Sequence, residues 1–266
     1  MPEKISYDIP NIHQVIKLLA NVYSDPRDAL TEFIINSLDA DARNIQIIVL
    51  KGKVNQILIK DDGVGMDHNE MNRIVKNIGN SIKANPEELK LRKINAEQII
   101  GHMGIGILGY QSFCRKAIFI SKQEKSIIPF KMILDVNNDE ALISITTSSK
   151  DCSLIIDNHK GTTVTLFEID KEIMKLFSIT LLKKYLEKNL SGILRRQQNL
   201  RIYISDTKNT SKLEPLAFSG IPFSINTIET DSGKNIKLDI YIQATGSDDN
   251  IRVSTKGKVV IKEISR

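Results

Sequence analysis

The stretch TEFIINSLDA, residues 31–40, sets a carboxylate, a carboxamide and a second carboxylate at Glu32, Asn36 and Asp39. With Arg43 beyond them these residues recur at helical spacing and project from one side, while Leu30, Phe33, Ile34 and Leu38 fall on the other. Plain solvent exposure would produce such a face. Asn, however, is a weaker helix former than the Lys or Gln a bare surface would use, so an Asn one turn after a Glu suggests a task. Asn36 offers a neutral oxygen to a hard cation, and Glu32 can take a proton from water. Together they suit a magnesium-bound phosphate.

Two glycine motifs follow. ILIKDDGVGMD, residues 57–67, ends a strand on Asp61 and Asp62 and then sets Gly63 and Gly65 where a turn exposes backbone and leaves room for a flat ligand. An aspartate there can accept a hydrogen bond from an exocyclic amine. The same residues also make an ordinary turn, since Asp and Gly dominate turns for reasons unrelated to binding. Calcium is excluded, because an EF-hand loop needs Gly at the place held by Met66.

GHMGIGILGY, residues 101–110, puts Gly101, Gly104 and Gly106 ahead of a predicted helix, so bare amides and the positive end of a helix dipole can meet phosphate oxygens. Gly104, Gly106 and Gly109 also spell GxGxxG, with Glu124 near the place of a ribose-binding acid. A dinucleotide site needs a strand directly before that turn. A polar stretch precedes it instead, and no Lys follows to complete a phosphate-binding P-loop.

These residues need elements to hold them. NIHQVIKLLANVY and DPRDALTEFIINSLDA have helical periodicity, with Asp25 and Pro26 as a stop and restart signal between two helices. NIQIIVL and QILIKD read as strands joined by a turn around Lys51, Gly52 and Lys53. From about Gly79 to His102 the chain is polar and reads as a mobile flap. AIFIS, PFKMILDV, ALISITT and GTTVTLFEI are four further strands. Helices first and a mostly antiparallel sheet afterwards predict a two-layer α/β sandwich. A helix over 171–198 and the strands RIYIS, IKLDIYIQ, IRVST and KVVIKEI predict a smaller α/β unit after a boundary near residue 170.

The chain has 266 residues, 41% of them hydrophobic, enough for one large or two modest domains. Lys and Arg outnumber Asp and Glu by 37 to 32, an excess that permits an anionic ligand without requiring nucleic acid. Cys114 and Cys152 have neither zinc-ligand spacing nor the density of a disulfide framework, which points to a reducing cytoplasm. No apolar run reaches the length of a membrane span, and MPEKISYDIP lacks a signal-peptide core.

The order ExxxNSxDA, DxGxG, GxxGxG and GTTVTL resembles the GHKL superfamily of ATPases: gyrase, the ninety-kilodalton heat-shock chaperones, histidine kinases and MutL, with MORC proteins as relatives. The resemblance covers roughly residues 10–170 and implies the Bergerat α/β sandwich, with ATP between helices and sheet. It makes Glu32 the general base that activates water and Asn36 the ligand of Mg2+. Asp61 becomes the acceptor of the adenine amine, helped through water by Thr162, with Gly63 and Gly65 leaving space for the ring and Met66 lining the pocket. Asn77 would touch ribose and phosphates, Lys83 would ride on the lid, and Gly79 would be a hinge. Gly101, Met103, Gly104, Ile105 and Gly106 would offer backbone to the phosphates.

The Asp39 and Ala40 pair is like the MutL, MORC and chaperone branches, and GHMGIGILGY is most like the chaperone version. None of the four histidines, at 13, 68, 102 and 159, sits in a phosphoacceptor-helix pattern. Residues 171–266 stand where relatives carry a transducer, with Lys256 and Lys258 as candidate γ-phosphate sensors or simply solvated turn residues. The expected activity is slow Mg-dependent ATP hydrolysis driving lid closure and a nucleotide-dependent homodimer. A DNA-engaging clamp, suggested also by Lys183, Lys184, Arg195 and Arg196, and a histidine-kinase-type phosphotransfer module are the alternatives.

Overall fold

The computed structural model describes residues 2–6, 23, 25–76, 106–156 and 159–216, with strand segments at 221–224, 228–229, 235–236, 239–242, 253–255 and 258–261. The predicted helix NIHQVIKLLANVY, apart from its last residue Tyr23, and the predicted flap at 79–102 lie outside the described residues.

Helix α1, Pro26–Asp39, starts where Asp25 and Pro26 signal it. Asp25 is extended and its side chain accepts from the Arg27 amide at 2.9 Å, satisfying a first-turn donor, while Pro26 needs no partner for a missing N–H. The helix stops as the Ala40 amide returns to the Asn36 carbonyl at 3.0 Å and Asp41 turns to φ 60°, a conformation that Asp tolerates better than most residues. Arg43 therefore does not continue the polar face expected of it. Its amide donates to Asp62 at 2.7 Å and its guanidinium pairs with Asp41 at 2.6 Å.

Strands β1 (Glu3–Ser6), β2 (Asn44–Leu50), β3 (Gln56–Asp61), β4 (Lys116–Lys122), β5 (Phe130–Asp135), β6 (Glu140–Ile145), β7 (Gly161–Phe167), β8 (Arg201–Ser205) and β9 (Thr210–Lys212) form one sheet in the order β1-β6-β5-β4-β7-β3-β2-β8-β9. Every pairing is antiparallel except β2 with β8. This is the mixed α/β architecture expected of the sandwich. Period-two alternation sends Ile45, Ile47 and Val49 of β2 and Ile57 and Ile59 of β3 to the buried side. The buried face of α1, including Leu30, Phe33, Ile34 and Ile35, adds to that core, and the ring of Phe33 lies 6.3 Å from that of Phe119 in β4.

Helix α2, His68–Lys76, follows the first glycine motif. The described part of the second motif, Gly106–Ser112, winds as a 3-10 helix rather than opening directly into an α-helix. It packs closely on α1: a Cβ at Gly109 would stand 3.3 Å from the Ala29 Cβ. A short helix α3, Ser149–Cys152, precedes β7.

The single helix predicted over 171–198 is two, α4 (Lys171–Leu176) and α5 (Ile179–Arg196). Asp170 caps the first by accepting from the Glu172 amide at 2.7 Å. Phe177 then leaves helical geometry at φ −94°, ψ 18°, fully buried with its ring 5.4 Å from Phe113. A helical hydrophobic period continues through that break, so spacing alone does not reveal it.

Two compact units emerge: Met1–Leu186 with Gln197–Leu213, and Glu187–Arg196 with Glu214–Arg266. β8 and β9 hydrogen-bond into the first unit's sheet through β2, and α4 stays with that unit. The second unit contains the antiparallel pairs β10 (Ile221–Ser224) with β13 (Asp239–Ile242), β11 (Ile228–Glu229) with β12 (Asn235–Ile236), and β14 (Val253–Thr255) with β15 (Lys258–Ile261). No helix among the described residues is long and apolar enough to cross a membrane.

Candidate functional site

Asp61 ends β3, in register with Ile45 of β2 on one side and Thr162 of β7 on the other. Its carboxylate is 4% exposed, and three groups donate to it. The Ser37 hydroxyl of α1 lies 2.8 Å from Oδ2, and the amides of Gly63 and Thr162 reach Oδ1 at 3.0 and 3.2 Å. Helix, turn and neighbouring strand all converge on one acid. Burial pushes its pKa up to about 6, and the Ser37, Gly63 and Thr162 donors only partly oppose that.

Asp62, its sequence neighbour, does other work. It accepts from the amides of Arg43 and Asn44 at 2.7 and 2.8 Å and from the Asn44 carboxamide at 2.6 Å, closing the start of β2. Burial acts to raise its pKa, but those donors outweigh burial and hold it low.

The turn after Asp61 is shaped by its glycines. A Cβ at Gly63 would press to 2.8 Å from the Ala40 carbonyl and 3.0 Å from Asp61 Oδ1. Gly65 sits at φ +72°, and a Cβ there would lie 2.0 Å from the Lys122 carbonyl at the end of β4. The protein's own packing therefore requires both glycines. Gly65→Ala combines an unfavourable φ with a backbone collision and is expected to cost at least about 2 kcal/mol of stability. At Gly52 an added Cβ meets nothing within 4 Å, so Gly52→Ala should stay within about 0.5 kcal/mol of wild type. Chemical denaturation of the two variants in parallel measures the contrast.

Met66, after Gly65, is half-buried, and its amide donates to Ser121 Oγ at 2.7 Å. Ser121 Oγ is also 2.7 Å from Thr162 Oγ1 and 3.2 Å from the Gly161 carbonyl. Ser121 is thus the knot joining the glycine turn to β7. Gly161, at φ +126°, brings the chain so near Asp61 that a Cβ would stand 2.0 Å from the Asp61 carbonyl.

On α1, Glu32 and Asp39 are half-buried and Asn36 is exposed, while the flanking Phe33, Ile35, Ser37 and Leu38 are buried. Gly106 faces Glu32 directly: a Cβ at 106 would lie 3.3 Å from both Cβ and Oε2 of Glu32. A bare backbone thus abuts the candidate base. Asp61 and Glu32 are linked through α1, since Ser37 on the same helix reaches Asp61. Of the other residues predicted from sequence, Asn77, Gly79, Lys83, Gly101, Met103, Gly104 and Ile105 lie outside the described residues, as does Lys256. Lys258 begins β15.

Ser37 and Ser121 are the site residues that spacing did not single out. Ser37 carried a signal, being a polar residue one position off the Glu32 and Asn36 face and one turn after buried Phe33. Ser121 carried none, since it sits in an apolar strand.

A family profile described as histidine kinase-, DNA gyrase B- and HSP90-like ATPase matches residues 23–162, just over half of the chain. The chain belongs to this ATPase family. The matched span runs from Tyr23, two residues before the α1 cap Asp25, to Thr162 and so takes in Glu32, Asn36, Asp61, both glycine motifs and the Thr162 partner of Asp61. As a member of this family the protein carries an ATP-binding ATPase module. It is also similar to the DNA mismatch repair protein MutL of Buchnera aphidicola subsp. Schizaphis graminum, 24% identical over 200 residues, which are 73% of this chain and 33% of that protein. A second similarity is to the DNA mismatch repair protein MutL of Carboxydothermus hydrogenoformans, 37% identical over 60 residues, 22% of this chain and 10% of that protein. The matched regions thus span about a third of the first relative and a tenth of the second.

Proposed function

We propose that this chain binds ATP with magnesium and hydrolyses it slowly, using the nucleotide to drive closure of the 79–102 segment and dimerisation in the manner of chaperone-like or MORC-like ATPases. The observation that carries this reading is the buried Asp61. A carboxylate has about four lone-pair sites, and three donors from the protein address it. One acceptor position is left for an exocyclic amine, and the burial of this acid at the end of β3 supports a binding role for it.

The phosphate end of the proposed site lies along α1. Asn36, exposed and neutral, suits a magnesium ion that keeps most of its water and is shared with phosphate oxygens. When bound, the metal supplies charge neutralisation at the phosphates. Glu32 orients water and takes its proton, and Gly106, with no side chain of its own, lies against that carboxylate. Asp39, half-buried one turn beyond Asn36's face, supports the same polar wall. Residues 171–266 act as a transducer in this reading, with Lys256 and Lys258 as its candidate sensors. Calorimetric titration with a non-hydrolysable ATP analogue, with and without magnesium, alongside phosphate release from labelled ATP, tests it. Magnesium-dependent binding and free phosphate support it; transfer of label to a protein histidine points instead to a phosphotransfer module.

The similarity to DNA mismatch repair MutL proteins favours a second reading, a clamp that engages DNA. On α5, Lys184 and Arg196 are exposed, whereas Lys183 is bound to Ser211 at 2.9 Å and Arg195 donates to the Leu216 carbonyl. A clamp predicts DNA affinity that falls steeply between 50 and 200 mM salt, about 10³-fold or more for six phosphate contacts. Salt-independent or absent binding in a fluorescence titration removes this second reading.

A further inference from the structure

A polar cluster at the first turn of α1 takes no part in the roles assigned above. Tyr185 of α5 donates its phenol O–H to Asp28 Oδ1. The Arg27 guanidinium lies 4.3 Å over the centre of the Tyr185 ring and is itself held by the Asp25 carboxylate, with Nε 3.0 Å from Oδ1 and Nη2 2.8 Å from Oδ2. Asp25 is the residue that caps α1. The phenol is thus gripped at its hydroxyl by one first-turn residue and on its face by another, the second braced by the cap. Burial first, and then Asp28, push the Tyr185 pKa up, so the hydroxyl stays a donor across any usable pH.

Asp28 precedes Glu32 by four residues and therefore lies under it on the same helical face. Both carboxylates reach one further group: after burial itself, Glu32 and then Asp28 raise the pKa of the Tyr23 phenol. The turn that Tyr185 holds is thus the turn on which Glu32 stands.

We infer that Tyr185 is a positioning residue for hydrolysis: through Asp28 and Arg27 it sets where α1 presents Glu32. The inference rests on the ATPase reading and concerns only its rate.

Three variants of the full chain test it. Tyr185→Phe keeps the ring under Arg27 and removes only the hydroxyl. It should lower kcat about 10- to 100-fold, the scale of a small misplacement of a reacting group, with the affinity for a non-hydrolysable ATP analogue unchanged. Asp28→Ala should do the same, and the double variant should be no slower than either single one, because both remove one interaction. Asp28→Asn, which keeps an acceptor for the phenol, should recover most of the rate lost in Asp28→Ala. A merely structural role would lower the melting temperature and leave kcat per folded molecule at the wild-type value. That result, or additive losses in the double variant, overturns the inference. If the wild type shows no hydrolysis that Glu32→Ala abolishes, the ATPase reading fails and this inference falls with it. If such hydrolysis is present and Tyr185→Phe matches wild type, only the inference fails.

Discussion

Glu32→Ala is expected to bind ATP about as tightly as the wild type and to hydrolyse it about 10²- to 10⁴-fold more slowly, the usual contribution of a positioned general base. The fold should hardly notice. Glu32 is half-buried on the polar side of α1, whose buried side is carried by Leu30, Phe33, Ile34 and Leu38. Ala is the best helix former, so truncation there does not weaken α1 intrinsically. Removing a carboxylate from the phosphate end also removes a repulsion, and any change in affinity should be toward tighter binding. Glu32→Gln, nearly isosteric and unable to take the proton, serves as the companion variant. Equilibrium binding of ATP with magnesium and single-turnover phosphate release separate the two effects. Full turnover in both variants would remove Glu32 from the role of base and leave the polar face of α1 as a solvated one.

Much of the first unit was legible because its elements are strongly periodic. Ile45, Ile47 and Val49 alternate as a half-buried strand must, and Asp25 with Pro26 marks a helix start through chemistry that depends on those two residues alone. The features that were not legible depend on tertiary contact. Phe177 splits one predicted helix into two because its ring is taken into the core beside Phe113, and nothing local announces that. β8 joins the first unit's sheet by pairing in parallel with β2, a partner more than 150 residues earlier, which no composition shift near residue 170 could foretell. Arg43 leaves the α1 face because Asp41 adopts φ 60°. In the site itself the motif offered two adjacent acids. Only the structure separates them, by giving Asp62 to the Arg43 and Asn44 amides and leaving Asp61 buried beneath Ser37. The glycines taught a similar lesson, since spacing suggested room for a ligand and the geometry adds a close backbone approach that would demand Gly65 in any case.

Asp61→Asn should weaken binding of an ATP analogue by roughly 10- to 100-fold while leaving the protein as stable as the wild type or more so at neutral pH. The two halves follow from one geometry. Asn can keep its oxygen toward the Gly63 and Thr162 amides and turn its NH2 toward Ser37 Oγ, which can accept as well as donate. The protein's own contacts survive. What is lost is the second acceptor oxygen, so an incoming amine would meet a donor. The stability half rests on linkage. The folded pKa of Asp61, about 6, lies above its ordinary value, so between about pH 4 and pH 6 the folded chain holds a proton that the unfolded chain has released. Stability from this group is then complete below pH 4 and is lost as pH rises through 6, a difference of roughly 3 kcal/mol for a shift of this size. Asn cannot ionise and should escape that loss. Asp62, Asp135 and Asp151 have lowered pKa values and act in the opposite direction, but they are common to both proteins and cancel in the comparison. Urea denaturation of the two proteins at pH 4 and pH 7.5 should therefore show the variant gaining on the wild type as pH rises. A variant that loses stability at pH 7.5 would make Asp61 a residue kept for the fold. A variant that is stable and still binds nucleotide at full strength would remove it as the adenine acceptor.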